Sequence, residues 1–129
     1  TLIGMQQVLK SAFWGIAPTW YMGLCAHNPG DAIPLLNINE PTIGTNGYQR
    51  VSLPLDTQNW PSVGSINGET YVESRDCDFS VDADSQYDVQ INRLFLTDGT
   101  YVIAISAAME EGLHWVDASM TTKYRLYFR

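Results

Sequence analysis

Residues 89–107 read VQINRLFLTDGTYVIAISA, and the fold class turns on this stretch. Val89, Ile91 and Arg93 alternate with Gln90, Asn92 and Leu94, the period of two that an extended chain gives a half-buried strand. Thr97-Asp98-Gly99-Thr100 then breaks the run, because Asp tolerates turn geometry and Gly reaches positive φ without a steric cost. Tyr101 to Ala107 is a continuous apolar run, the pattern of a buried strand. Strand, turn, strand predicts antiparallel β structure.

The same signals recur on both sides. From Thr19 onward Trp20, Met22 and Leu24 point one way, and Tyr21, Gly23 and Cys25 the other. Tyr48 to Leu53 reads as a strand. Asn67-Gly68 is the strongest short hairpin signal and predicts flanking strands near 62–66 and 69–74. Cys77, Phe79 and Val81 alternate with Asp78, Ser80 and Asp82, and segments 113–116 and 123–129 complete the set. A long loop, 27–46, is punctuated by Pro29, Gly30, Pro34, Pro41 and Gly44; loops of this length in a compact domain are functional or pinned by a partner. Residues 2–13, LIGMQQVLKSAF, place Leu2, Met5, Leu9 and Phe13 at helical spacing. They predict a short amphipathic helix ending near Gly15 and Pro18, or an apolar arm ordered against a partner. The expected fold is mainly β, a single antiparallel β-sandwich over 19–129 with an N-terminal helix or arm over 1–18.

Composition narrows the function classes. A chain of 129 residues is the length of one domain. Hydrophobic residues make up 45% and charged ones only 16%, too few charges to keep the chain solvated and unfolded. Seven basic against 14 acidic side chains give a net charge of −7, which argues against sequence-independent nucleic-acid binding and against an anionic membrane surface. No apolar run reaches the roughly 18 residues that span a bilayer. Lys10 lies within the N-terminal apolar stretch rather than before it, unlike a signal peptide, and Thr1 fits a cytosolic product that has lost its initiator Met. Cys25 and Cys77 are expected as thiols: Cys25 lies in an apolar run, and Asp76 and Asp78 should raise the Cys77 thiol pKa.

No catalytic constellation emerges. His27 and His114 are the only histidines, and no Gly-x-Ser-x-Gly elbow, His-Glu-x-x-His or Cys-x-x-Cys motif, or Gly-rich phosphate loop is present. Cys25 and His27 share a face of an extended segment but have no orienting acid nearby in sequence. Asp82, Asp84 and Asp88 space oxygen ligands as a calcium loop can, but the sharp-turn glycine is missing and Arg93 stands where the closing Glu would be. Solvent-facing strand and turn positions explain them better. Asp76 and Asp78 as a glycosidase pair find no support for a cleft. Trp14, Trp20, Tyr21, Trp60, Tyr87 and Trp115 invite a sugar-stacking platform, but aromatics on strands more often fill cores or interfaces. The expectation is a non-enzyme without metal or cofactor.

Trp20-Tyr21-Met22-Gly23-Leu24, His27-Asn28-Pro29-Gly30-Asp31-Ala32, Leu36-Asn37-Ile38-Asn39-Glu40 and Gly47-Tyr48-Gln49-Arg50-Val51 form a recognisable series, continued by Cys77-Asp78-Phe79 and Asn92 to Gly99. The series resembles a group of small virion proteins of tailed bacteriophages, the capsid decoration (cement) proteins and components of tail tips and fibres. It departs from that pattern at Tyr87, where Trp is common, and in the Trp-bearing segment 111–129. The resemblance implies a structural protein on the phage head, made in the host cytoplasm. Its partners would be the major capsid protein and further copies of itself, as a trimer or dimer. A lectin-like tail-tip or fibre module contacting host glycans is the alternative. Leu2, Met5, Leu9, Phe13, Trp14, Trp20, Pro29, Tyr48 and Arg50 are the expected interface residues, since Trp, Tyr and Arg dominate binding hot spots.

Overall fold

The computed structural model describes residues 18–26 and 38–128. Nine strands run through them: β1 (Thr19–Cys25), β2 (Val51–Pro54), β3 (Ser62–Ile66), β4 (Glu69–Glu73), β5 (Cys77–Phe79), β6 (Arg93–Thr97), β7 (Val102–Ile105), β8 (Met120–Thr122) and β9 (Arg125–Phe128). All pairings are antiparallel. The protein is mainly β, and its described strands fall into three sheets, ordered β2-β1-β6-β7, β3-β4-β9 and β5-β8. This division is finer than two sandwich layers. The N-terminal helix or arm lies outside the described residues, as does most of the expected 27–46 loop.

β1 shows why these residues make this sheet. Trp20, Met22 and Leu24 join Leu94 and Leu96 of β6 in the main core, with Leu53, Trp60, Phe79 and Tyr87. Cys25 and Phe95 point to the opposite face and form a second cluster with Ile38 and Val102. A central strand buried on both faces must be apolar at successive positions, and LFL in β6 meets that demand. Partly buried Val72, Met120 and Leu126 carry the other two sheets onto the main core.

Turns follow the local chemistry. Asn67 and Gly68 both have positive φ, 52° and 80°, the geometry of a two-residue hairpin turn that matches strand twist. Gly64 in β3 leaves room for a neighbour: a Cβ there would lie 2.5 Å from Tyr71 Oη. Elements at the margins differ from expectation. Segment 113–116 contributes only an isolated bridge, His114 to Ile91. The 48–53 strand begins at Val51, because Tyr48 serves β1 through its side chain instead.

Candidate functional site

Tyr48 sits where β2 ends. The β1–β2 register stops at Met22↔Val51, so the Leu24 N–H has no strand partner on that side. Tyr48 Oη accepts that N–H at 3.0 Å and donates to Glu40 Oε2 at 2.6 Å. Arg50 closes the group with two bonds to Glu40, Nε to Oε2 at 2.9 Å and Nη2 to Oε1 at 2.7 Å. A paired, hydrogen-bonded charge is what a largely buried carboxylate requires. Burial first, then the Glu40 carboxylate, pushes the Tyr48 phenol far above its ordinary value. The bond to Glu40 raises Arg50 further and keeps it charged. The Tyr48 ring lies parallel to Phe79 at 6.2 Å and edge-on to Tyr87 at 5.1 Å.

The structure describes three of the nine expected interface residues. Tyr48 and Trp20 are fully buried in the chain's own core, so neither has surface to offer a partner. Arg50 is half-buried and its guanidinium is spent on Glu40. Leu2, Met5, Leu9, Phe13, Trp14 and Pro29 lie outside the described residues, as does His27. Of the aromatics considered for a sugar platform, Trp60 and Tyr87 join Trp20 in the core, Tyr21 is half-buried, Trp115 is exposed at 47%, and Trp14 lies outside the described residues.

The acidic stretch serves local structure. Asp88 accepts from Thr42 N at 2.9 Å and Thr42 Oγ1 at 2.6 Å, which holds its carboxyl below the usual range. Asp84 occupies a positive-φ turn position. Among the described residues no three carboxylate, His or Cys side chains come together as a metal site would need. Cys77 and Cys25 are buried thiols in separate clusters. The Cys77 pKa is raised as expected, but burial is the leading cause and Asp78 and Asp76 add less.

Two recesses lie among the strands. A cleft of about 850 Å³ separates β7 from β8 and β9, lined by Ile103, Ile105, Ser106, Met120, Lys123 and Arg125. A second groove, about 380 Å³, is walled by Leu55, Trp60, Val63, Val72, Leu126 and Phe128. Of the eight large hydrophobic residues exposed among those described, Val63 and Phe128 lie on the groove face of the β3-β4-β9 sheet, and Ile66 and Tyr127 on its opposite face beside Tyr71. Sequence reasoning missed this surface. Its signal was SVGSI at 62–66, a strand with no charge on either face. No protein-family model, no curated protein and no solved structure matches this chain.

Proposed function

We propose that this chain is a non-enzymatic structural protein of a tailed-phage particle, a cement protein that binds between major capsid subunits and stabilises the head. The observation that supports an assembly role is the pair of exposed apolar side chains, Val63 and Phe128, on the face of the β3-β4-β9 sheet that walls the groove with Trp60. Desolvated apolar surface with aromatic anchors is the chemistry of an interface core. A stiff scaffold sits behind it, because the groove wall is shared with the main core through Trp20, Trp60 and Leu126. The virion setting comes from the resemblance of the sequence segments between Trp20 and Gly99.

Antibody raised against the chain and imaged on intact phage particles by electron microscopy tests the proposal. Regular labelling over the head is the expected result, and a variant lacking residues 1–14 should fold yet lose it. Labelling confined to the tail tip would transfer the role to host recognition. Unlabelled particles would refute the virion assignment altogether.

A further inference from the structure

The β3 edge is uncharged and free of proline, and it is the most exposed of the edge strands that lack both. Native sheets protect their edges with charges, prolines, bulges or covering groups, because an open row of N–H and C=O groups will pair with another strand. β2 ends in Pro54, and Arg75 Nη2 donates to the Ser52 carbonyl at 3.0 Å. β5 carries Asp78. β7, β8 and β9 line the cleft between them. β3 has no charge and no proline, and four of its five residues are exposed, Val63 at 76%.

The hairpin parity shows which groups that edge presents. Ile66 and Glu69 flank the two-residue turn and form a hydrogen-bonded pair, so Gly64↔Tyr71 and Ser62↔Glu73 are bonded pairs as well. Val63 and Ser65 therefore turn their N–H and C=O groups outward. An antiparallel strand pairing with β3 must meet donors and acceptors at those two positions.

We infer that β3 pairs with β3 of a second copy of this chain across a two-fold axis through Gly64. The strand is complementary to itself in this register: Val63 exchanges both backbone bonds with Ser65 of the second copy, and Ser65 with its Val63. The two glycines face each other as a non-hydrogen-bonded pair, where Cα atoms approach to about 4.5 Å. Glycine suits that approach, since Tyr71 Oη already occupies the space where a Cβ would sit. The pairing is isologous and closed, so it ends at a dimer and joins two three-stranded sheets into one. An uncharged edge is also where two chains of net charge −7 can meet without opposing like charges directly. The inference stands apart from the capsid reading, because it requires only the chain itself.

Sedimentation of the purified full chain over roughly 10 µM to 1 mM tests it. The wild-type chain should pass from monomer to dimer within that range. Ser65→Pro removes an outward N–H without touching the β3–β4 ladder, and the axis doubles the loss, so the dimer dissociation constant should rise at least about tenfold. Ser65→Lys is the second variant, which weakens the dimer by placing charge on the edge even if proline disturbs folding. A Ser62→Cys, Ile66→Cys double variant should form disulfide-linked dimers on oxidation, since positions 62 and 66 oppose each other across the axis. A wild-type chain that stays monomeric at 1 mM overturns the inference. So does a dimer that both Ser65 variants leave unchanged, which would place the contact on another surface or another partner. Particles that carry no label for the wild-type chain, while its solution dimer is observed, would refute the cement role alone.

Discussion

Tyr48→Phe removes one oxygen and isolates what the phenol does. The ring contacts with Phe79 and Tyr87 remain, and Glu40 keeps both bonds from Arg50. The Leu24 N–H loses its acceptor inside a core position. A buried donor left unsatisfied costs about 1–3 kcal/mol, so about 2 kcal/mol is expected. For a domain of this size that lowers the melting temperature by roughly 6–10 °C. Urea unfolding should show a lower midpoint at unchanged slope, the mark of lost stability without a change in compactness. The sign of the alkaline limb follows from the raised phenol pKa. Below the unfolded value, about 10, Tyr48 is protonated in both states and its contribution is whole. Above it the unfolded chain ionises while the folded one does not, and that stability drains away. Tyr48→Phe should therefore flatten the loss of stability above pH ~10. A loss below about 0.5 kcal/mol, with an unaltered alkaline limb, would refute the role assigned to the hydroxyl.

Two further perturbations probe the same scaffold. Gly23→Ala sets a Cβ 2.6 Å from the Phe95 ring and 2.7 Å from Tyr48 Oη; overpacking of this kind costs about 1–3 kcal/mol, and calorimetry showing no drop in melting temperature would contradict the close approach of phenol and strand. Asp88 holds a depressed pKa through Thr42, so its contribution is present above the ordinary carboxyl value and fades as pH falls through the lower folded one. Asp88→Asn should consequently lose less stability than wild type between pH 7 and pH 3, by a small amount at so exposed a site, and parallel losses in the two proteins would count against the Thr42 bonds.

The strand pattern was legible where burial alternates or saturates. Trp20, Met22 and Leu24 face the main core and Cys25 the second cluster, as the period of two predicts. Asn67-Gly68 marked its hairpin to the residue. β8 was missed because Met120-Thr121-Thr122 is too short to show a period, and its pairing with β5 is decided by tertiary contact. Two of the expected interface residues take their places for a different reason. Tyr48 and Arg50 have the chemistry of hot spots, but a gap beside Leu24 and a carboxylate at Glu40 captured that chemistry for the fold. Gly23 and Glu40 were the available hints: a strand glycine admits a close neighbour, and a loop carboxylate needs one.

The same capture extends to the cationic side chains. Arg75 binds Asn59 Oδ1 and the Ser52 and Asp76 carbonyls, Arg93 the Ser106 carbonyl, and Arg125 the Glu73 carboxylate while lying 4.3 Å from the Tyr71 ring centroid. Lys123 lies within 4.0 Å of Glu73 and Asp76. With Arg50 on Glu40, each of these cations is committed inside the chain. Recognition by clustered positive charge would have to break such bonds before it formed new ones. Among the described residues the scaffold presents apolar surface and outward backbone groups, and on the β3-β4-β9 sheet the two coincide: Val63 and Phe128 beside the groove, and the outward amides of Val63 and Ser65 along the edge. A surface made that way selects partners by shape and by strand geometry.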